Sequence, residues 1–325
     1  MSEALREILT PELIDRLRDG GLDPQEVTRV AAAALDEDLA GGGDVTSEAT
    51  VPADAEGTAR LVAREDGVVA GLPVAETVFR VAAHRTAAPR ATTDPEAAAE
   101  KERAAQPFGI SYYAADGDRV HRWDTVLAVT GRTQTLLTAE RTALNLACHL
   151  SGVATLTRRW ADAVAGTGAR VRDTRKTLPG LRALQKYAVR CGGGINHRMS
   201  LSDAALVKDN HVAAAGSVTV ALAAVSHAAA GLPTEVECDT LAQVKEAIEA
   251  GATAILLDNF DIEEMAAAVS HVAGRAVLEA SGGLTLARAR AAAATGVDFL
   301  AVGALTHSAP ALDIALDLAP SHRPK

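Results

Sequence analysis

Residues 170–211 read RVRDTRKTLPGLRALQKYAVRCGGGINHRMSLSDAALVKDNH. A strand-like run at 170–172 leaves through a basic turn, a helical stretch follows, and a glycine triplet returns the chain to a second strand-like run at 205–208. The pattern then repeats. Further strand-like runs stand at 234–238, 254–257, 276–279 and 297–302, with helical spacing between them, as at 240–250 and 284–295. Repeated strand-helix alternation with short connections predicts a parallel sheet with right-handed crossovers, either doubly wound or rolled into a barrel. No G-x-G-x-x-G opens the first crossover, which argues against the dinucleotide-binding version.

The polar residues favour the barrel. Reading off the end of each run gives Asp173 with Arg175 and Lys176, then Lys208, Glu237, Asp258, Glu279 followed by Ser281, Gly282 and Gly283, and last Gly303. In a (β/α) barrel those strand ends meet at one mouth, where the chemistry sits, so charges scattered along half the chain become one site. Ser281-Gly282-Gly283 ahead of a helix and Gly303 behind a strand offer backbone N–H groups to a phosphate.

Nine Lys or Arg (Arg170, Arg172, Arg175, Lys176, Arg182, Lys186, Arg190, Arg198, Lys208) meet only three Asp in the 170–211 stretch, within a chain of formal net charge −10. Arg182, Lys186 and Arg190 fall at helical intervals and read as a solvated helix face. Arg175, Lys176, His197, Arg198 and Lys208 sit at strand ends or in glycine-rich connections, where a scaffold can present them to a ligand. The basic cluster is local, so a small polyanion fits better than a nucleic acid. Glu237 and Asp258 opposite the cations can accept from ribose hydroxyls, coordinate Mg²⁺ on a pyrophosphate and stabilise an oxocarbenium-like transition state. A phosphosugar meeting an acidic co-substrate is the chemistry this set predicts.

The first half reads as a smaller α+β unit. Helical spacing covers 3–18 and 24–36, short β-like runs cover 59–64 and 67–72, and a helix follows over 73–81. Asp36, Glu37, Asp38 and Asp44 match no EF-hand spacing and read as a solvated loop. Residues 84–107, with three prolines and no sustained period, read as an exposed, mobile insertion. Strand character resumes over 124–129, and over 134–150 a helix places Arg141, Asn145 and His149 on one face beside Thr138 and Thr142. The N-terminus MSEALREILTPELIDRLRDGG has no apolar core of a leader, no run approaches ~20 apolar residues, and Cys148, Cys191 and Cys238 form no C-x-x-C pair. A soluble, cytoplasmic protein is expected.

The segments GGGDVTSEAT, GVVAGL, AERTALNLACHLSGVATLT, RDTRKTLPGLRALQKYAV, GGGINHRMSLSDAALVKDNH, EVECDT, ILLDNF, EASGGL and GVDFLAVGALTHS occur in that order. By them the chain resembles the quinolinate phosphoribosyltransferases. The resemblance covers nearly everything except 84–107 and departs at Cys191, where the family generally has a small residue. It implies an α/β protein with an N-terminal α/β sandwich domain (1–137, joined by the C-terminal 307–325) and an incomplete, open α/β barrel of TIM-like type (138–306). It implies a homodimer, with Arg141 supplied across the interface. Carried over position by position, it puts Arg141, Arg175, Lys176, His197, Arg198 and Lys208 on quinolinate and adds Thr174 to the substrate-binding residues. It puts Glu237, Asp258, Ser281, Gly282 and Gly303 around the phosphoribosyl group, with Mg²⁺ reaching Glu237 and Asp258 mainly through the pyrophosphate. Lys208, Glu237 and Asp258 are the catalytic candidates. The implied reaction joins quinolinate to phosphoribosyl pyrophosphate and releases pyrophosphate and CO₂, leaving nicotinate mononucleotide. Two other enzymes compete: a related transferase acting on nicotinate or another planar acid, and a Schiff-base barrel aldolase using Lys208.

Overall fold

A computed structural model of the chain describes residues 3–87 and 108–320. Two compact units divide it: 1–155 with 183–191 and 310–325 in the first, 156–182 with 192–309 in the second. The basic stretch is therefore split. Its helix Arg182–Cys191 gives all but its first residue to the first unit, while the flanking strands and turns belong to the second.

The first unit is built on a four-stranded antiparallel sheet. Strands β1 (Glu56–Ala63), β3 (Gly109–Tyr112) and β5 (Thr125–Arg132) are joined by the C-terminal strand Ile314–Pro320, which pairs with β1 from Ala63↔Ile314 to Gly57↔Pro320. A two-stranded ribbon, β2 (Gly67–Val68) with β4 (Arg119–Val120), stands apart from it. Alternation along β1 buries Ala59, Leu61 and Ala63 and turns Glu56 and Arg60 outward. Helices supply the rest of this core. The helical pattern over 3–18 is two helices, Glu3–Ile8 and Pro11–Asp19, because Thr10 accepts from Leu13 N (3.3 Å) and Pro11 opens a new helix behind it.

Three further expectations change here. The helix predicted over 73–81 runs from Leu72 to Ala87, so 84–87 of the supposed insertion are helical; 88–107 lie outside the described residues. The acidic segment is not a solvated loop. Helix Pro24–Leu39 takes in Asp36, Glu37 and Asp38, and Asp44 caps helix Val45–Thr50; Asp38 accepts from Thr142 (3.0 Å) and Asp44 from Thr138 (3.1 Å). The helix predicted over 134–150 extends from Thr133 to Val164. Gly152 is tolerated within it because a Cβ there would lie 2.0 Å from Pro310 O, so the returning C-terminal segment needs that gap. The two units part inside this helix, after Thr155.

The second unit is a six-stranded parallel sheet: β6 (Arg170–Arg172), β7 (Ala205–Val207), β8 (Thr234–Cys238), β9 (Ala254–Asp258), β10 (Val277–Ser281) and β11 (Phe299–Ala301). Their spatial order, β6-β11-β10-β9-β8-β7, places the first strand beside the last and leaves β6 and β7 unpaired with each other. That is a barrel opened at one seam. Beside the seam Ile195 bridges Arg172 in parallel, accepting from Asp173 N (3.1 Å) and donating to Val171 O (2.9 Å). Among the described residues no single helix is long and apolar enough to cross a membrane.

Candidate active site

Register determines what the mouth contains. Val207 pairs with Val236, so Lys208, the next residue, comes level with Glu237; its Nζ lies 3.4 Å from Glu237 Oε2. Asp258 pairs directly with Ser281 at the ends of β9 and β10. Gly303 follows β11, and Thr306, fully buried in the short helix behind it, donates to Lys176 O (2.8 Å). A Cβ at Gly303 would meet Lys176 Cδ at 3.1 Å, so the turn after β6 and the turn after β11 press together. Thr174 accepts from Lys176 N (3.0 Å) and shapes the first of those turns. Lys176 and Lys208 are exposed, while Thr174, Arg175, Arg198, Glu237, Asp258, Ser281, Gly282 and Gly303 are half-buried.

The cations are arranged for an anion. Burial lowers the Arg198 pKa and the neighbouring Arg175 guanidinium lowers it further, while Asp203 and Glu235 offset part of this. Two guanidiniums that repel at close range lose that repulsion when a carboxylate comes between them. Arg175 Nε is buried with no hydrogen-bond partner, and Arg198 Nη1 donates to Ala204 O (2.8 Å), which fixes its reach.

On the other side carboxylates crowd. Asp239 is held above its ordinary value by burial first and then by the charges of Asp258 and Asp209. A hydrated Mg²⁺ brought by a pyrophosphate would meet hard oxygen ligands on this edge.

Two residues named from the sequence as mouth groups lie beneath it. Asp173 is fully buried and accepts from His197 N (2.8 Å) and Asn196 Nδ2 (2.5 Å), so it positions the His197-Arg198 turn. Glu279 is also fully buried, two residues before Ser281 on the same face of β10, and takes Arg172 Nη1 at 2.6 Å. Glu235, two before Glu237 on β8, takes His197 Nε2 at 2.8 Å. The strand period of two thus sets Arg172, Glu235 and Glu279 directly under the mouth, and His197 reaches them from the turn after Ile195. Burial pushes Glu279 up to about 7, the charge of Glu235 adds to that, and Arg172 and His197 pull the other way. Sequence reading missed Glu235, Asn196 and the supporting role of Arg172; for Glu235 and Arg172 the signal was the same-face strand spacing behind the mouth residues, while Asn196, in a turn, carried none.

Two basic groups leave the cluster. Lys186, read as part of a solvated face, is fully buried among the core residues of the first unit, and Arg190 donates to Gly20 O (2.5 Å) there. Arg141 is exposed on the Thr133–Val164 helix, also in the first unit, with Asn145 exposed one turn on. In the same unit His149 Nε2 lies 2.8 Å from Gln185 Nε2.

Residues 44–151 match the Quinolinate phosphoribosyl transferase N-terminal domain family, and 153–317 match the corresponding C-terminal domain family. A nicotinate-nucleotide pyrophosphorylase (carboxylating) of Mycobacterium leprae is 51% identical over 292 residues, covering 88% of this chain and 94% of its own. A tobacco quinolinate phosphoribosyltransferase (decarboxylating) is 39% identical, covering 89% and 81%. The crystal structure of NadC from Streptococcus pyogenes superposes with a TM-score of 0.81 at 37% identity, over 93% of this chain and 99% of that one.

Proposed function

The chain belongs to the quinolinate phosphoribosyl transferase family, and from that premise we propose that it joins quinolinate to C1 of phosphoribosyl pyrophosphate, releasing pyrophosphate and CO₂ and leaving nicotinate mononucleotide for NAD synthesis. The observation that carries this reading is the Arg175–Arg198 pair: two half-buried guanidiniums that repel each other, one with a buried Nε unpartnered, across the sheet from a carboxylate and glycine edge. A planar ring with two adjacent carboxylates relieves the first edge; a phosphosugar suits the second.

In this reading Arg175, Lys176, Arg198 and Lys208 hold the two ring carboxylates, and a homodimer partner supplies Arg141. That orients the ring nitrogen toward C1. His197, expected from the sequence on the same acid, instead supports Arg198 from below with its ring nitrogens on Glu235 and on Arg198 N. As the C1–O bond to pyrophosphate breaks, Glu237 and Asp258 face the positive charge growing on the ribose, while Ser281, Gly282 and Gly303 anchor its phosphate. Mg²⁺, when bound through the pyrophosphate near Glu237 and Asp258, neutralises charge on the leaving group. Once the N–C1 bond has formed, the ring nitrogen is cationic, so the 2-carboxylate can leave as CO₂ with its bonding electrons held at C2 beside that charge. A solvent proton then completes the ring. We place the reaction in the cytoplasm, a reducing compartment that suits three free cysteines.

The direct test is to incubate the purified protein with quinolinate, phosphoribosyl pyrophosphate and Mg²⁺; stoichiometric nicotinate mononucleotide and CO₂ are expected, and absence of both overturns the reading. The shared site has its own test. Arg141→Ala and Lys208→Ala proteins, each inactive, should on unfolding and refolding together regain about a quarter of wild-type activity. Half the dimers are then mixed, and each mixed dimer has one intact site. No recovery, with subunit exchange verified by mass, would place Arg141 in its own subunit's site.

A further inference from the structure

Among the described residues Asn259 is one of four other than glycine with a positive φ, at 58°. It directly follows Asp258 at the end of β9, and each part of it is engaged with a neighbour. Its backbone N–H donates to Ser281 O (2.9 Å), and its Nδ2 donates to Asp258 Oδ2 (2.8 Å). Its Oδ1 and Cγ occupy the space where a side chain on residue 282 would be: a Cβ on Gly282 would stand 2.2 Å from Oδ1 and 2.6 Å from Cγ. Gly282 itself has φ 80°, so glycine is required there twice over, by conformation and by the amide packed against it.

We propose that Asn259 is the positioning residue that locks the Asp258 carboxylate to the Ser281-Gly282-Gly283 loop, so that the ribose end and the phosphate end of a phosphosugar are received by one rigid unit. The inference rests on the phosphoribosyl transfer reading and deepens it. A carboxylate at a strand end is free to rotate; the Asn259 amide removes that freedom by holding one oxygen and leaves the other for a ribose hydroxyl or a hydrated cation. The left-handed turn aims the amide back at the loop, and no residue other than glycine adopts this turn as readily as asparagine or aspartate. The strain is small and local, and what it secures is the distance between two groups that must engage the same ligand.

The test separates side chain from backbone. Asn259→Gly keeps the left-handed turn and deletes the amide; Asn259→Asp keeps the size and Oδ1 but sets a second carboxylate against Asp258. Binding of phosphoribosyl pyrophosphate is measured by calorimetry with Mg²⁺ and with phthalate, an ortho-dicarboxylate lacking the nucleophilic ring nitrogen, filling the acid side. Steady-state kinetics and melting temperatures are recorded alongside. Asn259→Gly is expected to weaken phosphosugar binding roughly tenfold to a hundredfold, the cost of a lost hydrogen bond to a charged group, with KM for quinolinate and melting temperature close to wild type. Asn259→Asp should weaken it further and make phosphosugar binding depend more steeply on Mg²⁺, which offsets the added carboxylate, a readout that a merely structural role would not move. Wild-type binding by Asn259→Gly, or equal losses for both substrates, overturns the proposal. If the wild-type protein makes no nicotinate mononucleotide but binds the phosphosugar in an Asn259-dependent way, the acceptor assignment falls and the positioning role stands. If the wild-type protein does not bind it, both fall.

Discussion

Arg175 stands near enough to Arg198 to disfavour the charge on Arg198, and Arg175 keeps a buried Nε without a partner. Asp258, Asn259, Ser281 and Gly282 instead hold one another through side-chain, backbone and packing contacts. The first edge of the site is held apart by its own charges and is completed by whatever anion enters. The second is assembled beforehand and only has to receive. The contrast says where binding energy is spent: on the acid side the ligand relieves an electrostatic cost, and on the sugar side a preorganised cradle spares the cost of ordering a loop.

The largest effect should come from the ligand. Nicotinate lacks the 2-carboxylate and would leave half-buried cations facing nothing, so its kcat/KM should fall on the order of 10⁴-fold below that of quinolinate, as for other sites built around polar partners. Comparable turnover of the two acids would dissolve the distinction between the edges and favour a transferase acting on nicotinate.

Deleting one cation is the next step down. Arg198→Ala should cost about 2–4 kcal/mol in kcat/KM for quinolinate, while affinity for phosphoribosyl pyrophosphate changes little. A variant that loses both equally would mean that the two edges are one coupled unit.

The smallest effect is in stability, in the layer beneath both edges. Glu279 sits at about 7 in the fold against an ordinary 4.5, so the folded state favours its protonated form. That contribution is complete below about pH 4.5 and is lost as pH rises through about 7. Glu279→Gln keeps an acceptor for Arg172 and cannot ionise, so its melting temperature should gain a few degrees on wild type between pH 5 and 8. A difference that stays flat across that range would show that the buried layer is not charged at the cost of the fold.

Much of this was legible in the sequence, and the reasons are specific. Strand ends carry their polar residue immediately after the apolar run, so Lys208, Glu237 and Asp258 could be placed at one mouth by counting. Asp173 and Glu279 look the same by that count, yet they are fully buried, because the count marks an end without saying which face the last side chains occupy. Lys186 shows the opposite failure: Arg182, Lys186 and Arg190 recur at helical spacing and Arg190 is exposed as expected, but nothing local says that Lys186 between them will be fully buried. Asn259 was hidden inside ILLDNF, since its part depends on φ and on a glycine more than twenty positions away.

The opened seam has a further consequence. A sheet that does not close on itself normally presents two rows of unpaired amides and carbonyls, which can recruit strands from neighbouring molecules and lead to aggregation. Here both terminal strands have been cut to three residues, Arg170–Arg172 and Ala205–Val207, with arginines at both ends of the first and a partner for its last residue in Ile195. A foreign strand would find too short a template to zip onto, and a guanidinium at the start of it. The barrel can therefore stay incomplete without becoming adhesive.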